Sequence, residues 1–173
     1  MKRILTSLSA AIALIASAGA MATESNTSDL VPVQQAKDSG FTACLGAVEK
    51  LSNFLIGDAS GNYGAHGIWS TTETTNKIYS AQIERNFSDG VMIMNMSVVH
   101  NKAGTCSSQY TKTFMSDETC MKYAMGQKDA KYKGELNKET GLFDDGGAYV
   151  YLQPVGQKCL VIRKEIIDLP SAA

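Results

Sequence analysis

The middle of the chain alternates apolar and polar side chains, and this alternation constrains the fold more than any other feature. Apolar residues occupy every second position on both sides of Ser88-Asp89-Gly90; they are Tyr79, Ala81 and Ile83 before it and Met92, Met94, Met96 and Val98 after it. A period of two is typical of strands that bury one face, and Asp-Gly is a frequent hairpin turn. The pattern therefore predicts an antiparallel hairpin, which residues 68–75 and 106–114 extend into a meander.

A helical period precedes this meander. Between residues 41 and 55 the apolar side chains recur at intervals of three and four; they are Phe41, Cys44, Leu45, Val48, Leu51 and Leu55. This spacing places them on one side of a helix, for which Gly57 is a suitable end. A second helix is expected to begin near Ser116, a good N-cap residue, and to end at Gly126.

The remaining segments complete the predicted fold. Residues 127–133 are charged and residues 141–147 are rich in glycine and aspartate, so both are expected to be loops. Residues 148–153 and 158–167 alternate on either side of Pro154-Val155-Gly156, which predicts a last hairpin. The expected fold class is α+β: a single antiparallel sheet of about five to six strands, formed by the meander and the C-terminal hairpin, with two helices packed on one face.

The N-terminus has the composition of a secretory signal peptide. Lys2 and Arg3 precede an apolar run over residues 4–18, and Ala20-Met21-Ala22 fits a small-residue cleavage site. Serine, threonine and glycine dilute the run, which favours cleavage after Ala22 over a stable membrane anchor. We therefore expect a periplasmic or secreted protein. The predicted organisation is a signal peptide at 1–22, a flexible N-terminal arm at 23–37, a single α+β domain at 38–168 and a frayed tail at 169–173.

Export would place the four cysteines, Cys44, Cys106, Cys120 and Cys159, in an oxidising compartment, where thiols persist mainly as disulfides. Closely spaced Cys-x-x-Cys pairs, which zinc sites and redox motifs use, are absent from the sequence. Spacing alone does not choose among the three possible connectivities. Because a strand leaving Cys106 and a helix folding back would bring Cys120 near it, the expected pairs are Cys106–Cys120 and Cys44–Cys159.

Residues 57–67 contain four glycines and are expected to connect the first helix to the first strand. An alternative is a ligand-facing loop in which Tyr63, His66 and the adjacent Trp69 contact a partner, because functional residues often lie on long loops of a rigid scaffold. These three residues are the candidate binding residues of the sequence.

Three methionines, Met92, Met94 and Met96, share one face of the predicted hairpin. Thioether sulfur is a soft ligand that suits cuprous copper, and His100 follows nearby. Methionine also fills irregular cores, and Val98 continues the same face. The core interpretation is favoured, so no metal ion or other cofactor is predicted.

The charge of the chain and its motifs disfavour two classes of function. The chain has 16 basic and 17 acidic side chains with its lysines scattered, which disfavours a nucleic-acid partner. A Gly-x-Ser-x-Gly nucleophile motif is also absent from the sequence, which favours a non-catalytic protein. The prediction is a small exported accessory, inhibitor or immunity-type factor that binds another macromolecule, such as an envelope protein. The alternatives are a carrier of a small apolar ligand or copper on the Met92/Met94/Met96 face, and an unidentified hydrolase.

Overall fold

The computed structural model describes residues 30–57, 62–71, 78–101 and 104–170. Within these residues the chain forms three helices and eight strands. The helices are α1 (Val31–Asp38), α2 (Leu45–Ile56) and α3 (Cys120–Gly126). The strands are β1 (Tyr63–Trp69), β2 (Ile78–Phe87), β3 (Gly90–His100), β4 (Thr105–Ser116), β5 (Lys131–Glu135), β6 (Gly141–Asp145), β7 (Ala148–Val155) and β8 (Lys158–Pro170).

All eight described strands join one antiparallel sheet. Their order is β1-β2-β3-β4-β8-β7-β6-β5, so β1 and β5 form its two edges. Strands β1 to β4 form one meander and strands β5 to β8 form a second. β4 joins the two meanders by pairing along its length with β8, from Thr105 opposite Pro170 to Ser116 opposite Cys159.

The predicted α+β fold of five to six strands and two helices is wrong, because the described residues form mostly sheet, with eight strands and three helices. The two strands missing from the prediction are β5 and β6, which include much of the charged and glycine-rich segments expected to be loops. Both strands pair through their backbones, β5 with β6 and β6 with β7. Their short polar sequences carry little alternation, because a neighbouring strand rather than local composition stabilises them.

Part of the predicted N-terminal arm is helical. α1 begins at Val31, and Pro32 lies in its first turn, where a missing N–H costs nothing. Val33 and Ala36 are fully buried. The arm prediction is therefore wrong for residues 31–37, because a helix of two turns gives too few apolar positions for a clear period. The predicted signal peptide and the start of the arm lie outside the described residues.

Two other predicted boundaries are also corrected. The glycine-rich loop was expected to reach residue 67, but β1 begins at Tyr63; residues 58–61 are outside the described part of the chain. The frayed tail was expected from residue 169, but β8 runs to Pro170 because the first residues of β4 pair with it there. Residues 171–173 are not among the described residues.

Two apolar clusters lie on the same face of the sheet. The larger cluster packs under α1 and α2, where Val48, Leu51 and Leu55 of α2 face β3 and β4. Met94 and Met96 are buried within it, which confirms their predicted place in the core. The smaller cluster lies under α3 and is formed by Val150, Leu152, Cys159 and Val161.

The four cysteines form two disulfides, Cys44–Cys106 and Cys120–Cys159, with Cα atoms 5.8 and 4.8 Å apart. The predicted pairs Cys106–Cys120 and Cys44–Cys159 are wrong. Cys106 lies near the start of β4 and Cys120 follows its end, so the 12-residue extended strand separates them. Each disulfide instead joins the start of a helix to the sheet beneath it. Two disulfides are compatible with an oxidising extracellular compartment.

Among the helices of the described residues, none combines the length and apolar character that a membrane crossing requires.

Tyr79 is fully buried in the larger cluster, and the pH dependence of stability tests this packing. Its hydroxyl donates a hydrogen bond to the Pro32 carbonyl oxygen at 2.7 Å, and burial raises its pKa to about 12. An unfolded tyrosine titrates near pH ~10, so the unfolded chain loses this proton first as the pH rises. The contribution of Tyr79 to stability is therefore complete below pH ~10 and is lost as the pH rises towards 12.

We expect Tyr79→Phe to reduce this alkaline loss of stability, as measured by thermal unfolding at a series of pH values. Tyr149→Phe is the control, because Tyr149 is exposed on β7 and should leave the pH dependence unchanged. Equal alkaline slopes for the wild type and Tyr79→Phe would show that the hydroxyl is not buried in solution.

Candidate functional site

An apolar groove lies between α3 and the second meander. Its volume is about 480 Å³. Met121, Ala124 and Met125 of α3 form one wall, and Tyr132, Phe143 and Leu152 of β5, β6 and β7 form the other. We call this feature the α3 groove. Its size and apolar lining are typical of binding sites.

Two aromatic rings in the wall formed by β5 and β6 are tightly packed. Tyr132 and Phe143 make an edge-to-face contact with ring centroids 5.3 Å apart. Gly141 lies beside them, and a Cβ atom at this position would come within 3.2 Å of the Phe143 ring. The absence of a side chain at Gly141 therefore leaves space for the ring pair.

Large apolar side chains remain exposed around the α3 groove. Met121 and Met125 are 73% and 79% exposed, and Tyr132 is also exposed. Single exposed apolar residues are common, but three that line one groove form a patch that is typical of binding surfaces. Methionine side chains are flexible and polarisable, so they adapt to differently shaped partners.

Two carboxylates line the α3 groove. Glu135 ends β5 and Glu139 lies in the turn that leads to β6. Among the described residues, neither makes an ion pair with a lysine or arginine. The groove therefore combines an apolar interior with unpaired negative charge.

Few contacts hold α3 on the sheet. None of its seven residues, all of which the structure describes, is buried. A helix of this length is not stable alone, so it depends on its attachments. Three contacts attach or cap α3: the Cys120–Cys159 disulfide, the Tyr123–Phe114 ring contact at 6.1 Å, and the N-cap Thr119, whose hydroxyl accepts a hydrogen bond from Lys122 N.

A group of charged side chains lies on the same sheet face between the two apolar clusters. Lys112 of β4 is opposite Arg163 of β8, and both strands carry alternate side chains towards the helices. Arg163 donates a hydrogen bond to Asp145, and the Tyr110 hydroxyl donates one to Glu165 at 2.5 Å. We call these five residues the charged group.

Three residues of the charged group, Lys112, Tyr110 and Arg163, have shifted pKa values. Burial lowers the pKa of Lys112, and the nearby positive charges of Arg163 and Arg85 lower it further. Burial also raises the pKa of Tyr110, as does its hydrogen bond to Glu165. Such shifts are frequent at functional sites, although structural ion pairs also cause them.

The structure does not bring the three predicted binding residues together. Tyr63, His66 and Trp69 all lie on the edge strand β1, but the register puts Tyr63 and Trp69 on the helix-covered face and His66 on the opposite face. The Tyr63 hydroxyl accepts a hydrogen bond from Val31 N at 3.0 Å, which gives Tyr63 a structural contact. Their role in binding stays a prediction.

The methionine side chains that the copper alternative would use are buried. Met94 and Met96 lie under α2, and the Ser52 hydroxyl contacts the Met96 sulfur at 3.8 Å. Among the described residues, no cluster of three or more His, Cys, Asp or Glu side chains is arranged to hold a metal ion.

Sequence reasoning missed the α3 groove. The available signal was the pair Met121 and Met125, which are four residues apart and therefore share one side of a predicted helix. Two residues of the opposite wall, Tyr132 and Phe143, lie in the segments that were interpreted as loops.

Comparisons of this chain with protein families, with curated proteins and with solved structures gave no match.

Selective removal of each disulfide tests how α3 is held. We expect the double variant Cys120→Ser/Cys159→Ser to keep the sheet folded while α3 loses protection from amide hydrogen exchange. Its stability should fall by about 2–4 kcal/mol, the usual contribution of a disulfide.

The matched control is Cys44→Ser/Cys106→Ser, which frees the start of α2 from β4. It should leave α3 protected and destabilise the larger cluster. If both variants lose α3 protection equally, the Cys120–Cys159 disulfide is not the main attachment of α3.

Proposed function

We propose that this protein is a small exported, non-catalytic binding protein whose α3 groove holds an apolar segment of another protein. The observation that carries the proposal is the exposure of Met121 and Met125 at the mouth of an apolar groove. A folded protein rarely exposes a clustered set of large apolar side chains unless a partner covers them.

The exposed area favours a protein partner over a small ligand. A molecule that fills about 480 Å³ would contact the walls of the groove. It would leave the outward parts of Met121 and Met125 in water. An apolar peptide segment can insert one or two side chains into the groove and cover these residues with its flanks.

The charge of the groove specifies the partner further. Glu135 and Glu139 supply unpaired carboxylates beside the apolar interior. A partner segment with a lysine or arginine next to its apolar side chains would pair with them. We therefore propose a segment that carries two or more apolar side chains and at least one basic residue.

Export and an accessory or inhibitory role are parts of the same proposal. The two disulfides support an oxidising compartment, and the N-terminal sequence supports secretion to or beyond the periplasm. A protein in that location that binds one segment of a partner would act as an envelope accessory factor or an inhibitor.

A carrier of a small apolar ligand is the second candidate. It is favoured by the groove volume, which lies within the usual range of small-molecule sites. In this case the groove, rather than the methionine face of β3, would hold the ligand.

Selection from a phage-displayed library of random peptides tests the proposal on the purified protein. We expect enriched peptides to share closely spaced apolar residues and a lysine or arginine. Met125→Lys should weaken their binding at least tenfold, or by about 1.4 kcal/mol, because it removes apolar contact and repels the basic residue.

The control is Ile166→Lys, which makes the same change at a residue of similar exposure on β8, outside the α3 groove. Equal loss of binding in both variants would contradict the groove as the site. If no peptide is enriched while an apolar fluorescent dye binds the wild type and not Met125→Lys, the carrier function replaces the peptide-binding function.

A further inference from the structure

The two faces of the sheet differ in how they are covered. Among the described residues, both apolar clusters and the helices that pack on them lie on one face, and we call the other the open face. A sheet face that stays in water typically carries polar side chains. The open face of the first meander does so in its central rows, which contain Gln82, Asn95, Ser97 and Gln109.

The open face becomes apolar where the two meanders join. Ile93 of β3 lies opposite Thr113 of β4, which in turn lies opposite Ile162 of β8. Tyr151 of β7 and Leu142 of β6 continue the same row. A row of side chains without a charge therefore crosses five neighbouring strands.

A second apolar pair lies beside this row. Met115 of β4 is opposite Leu160 of β8, two residues along each strand from the row. Ile93 and Met115 are 46% and 43% exposed, and the other members are partly buried. We call this feature the open-face patch; its apolar residues are Ile93, Met115, Leu142, Tyr151, Leu160 and Ile162.

The size of the open face matches a protein interface. Five strands about 4.8 Å apart and two rows about 7 Å apart give the open-face patch a projected area of about 300 Å². At the same spacings, the eight strands of the whole open face provide about 1,000 Å². A standard interface takes about 800 Å² from each partner, as an apolar core with a polar rim. The open face can therefore supply both parts.

The charge of the open face favours an identical partner. The open-face patch itself is uncharged, and its neighbours carry both signs, since Glu84 lies opposite Ile93 and Lys164 follows Ile162 by two residues. A membrane-binding surface typically has a basic excess around its apolar side chains. A mixed rim and an uncharged centre instead allow a surface to lie against its own copy without like charges at the core.

We propose that the open-face patch is the interface between two copies of this chain, which pack sheet against sheet about a two-fold axis. Sheets that pack in this way lie about 10 Å apart, and the side chains of their inner faces interdigitate. All described strands belong to one sheet, so the second sheet comes from the partner copy. The open-face patch shares no residue with the α3 groove, and the dimer does not depend on the peptide-binding function.

Sedimentation velocity of the full exported protein over a concentration series tests the proposal. We expect a monomer at low concentration and a reversible dimer at high concentration. Ile93→Lys should raise the dissociation constant of the dimer at least tenfold, because the two-fold interface would then contain two additional lysines.

Ile78→Lys is the matched control. Ile78 is 44% exposed, close to the value for Ile93, and begins β2 on the same open face, outside the open-face patch. This variant should dimerise like the wild type. A dimer that both substitutions weaken equally, or that neither weakens, would overturn the proposal. So would a monomer at every concentration; if that monomer binds phosphatidylcholine vesicles and Ile93→Lys does not, the open-face patch binds lipid instead.

A second measurement does not depend on how the variants fold. In NMR spectra of the wild-type protein, the methyl signals of Ile93, Leu160 and Ile162 should shift with protein concentration. The methyl signals of Met121 and Met125 should not. Concentration-dependent shifts confined to these two methionines would place the dimer contact at the α3 groove and contradict the open-face patch.

Discussion

The pairing of β4 with β8 is the interaction on which the rest of the structure depends. Each meander forms from strands that follow one another in sequence, but alone it would leave a long unpaired edge. The β4–β8 ladder joins those edges over the 12 residues of β4. It also sets α2 and α3 on the same face of the sheet and places Lys112 opposite Arg163.

The two halves of the sheet are stabilised to different degrees. α2 has 12 residues, six of which are buried, and it covers the larger apolar cluster. α3 has seven residues without a buried side chain and is linked to the sheet by the Cys120–Cys159 disulfide. Binding surfaces are often drawn from the less stable parts of a fold. The weakly packed α3 and its exposed methionines are consistent with this tendency.

Local patterns predicted the parts of the fold that local forces determine. The alternation over β2 and β3 and the helical period of α2 were predictable because each element has its own apolar face. The start of α3 was predicted wrongly, since Ser116 ends β4 and the N-cap of α3 is Thr119. β5 and β6 were not predicted, because they are short polar strands that need a paired neighbour. The disulfide pairs and the charged group could not be predicted, because both bring together residues that are far apart in the sequence. The α3 groove could not be predicted without β5 and β6, because these strands form part of the wall opposite Met121 and Met125.

The central claim is that β4 and β8 join the two meanders into one stable sheet, while α3 is only weakly attached to it. The most direct test is to measure amide hydrogen exchange along the chain. The account predicts that the amides paired between β4 and β8 exchange last, and that α3 and the edge strand β5 exchange far earlier. If the β4–β8 amides exchange early while each meander stays protected by itself, the two halves are separate units, and both the shared face and the juxtaposition of Lys112 with Arg163 would be contradicted.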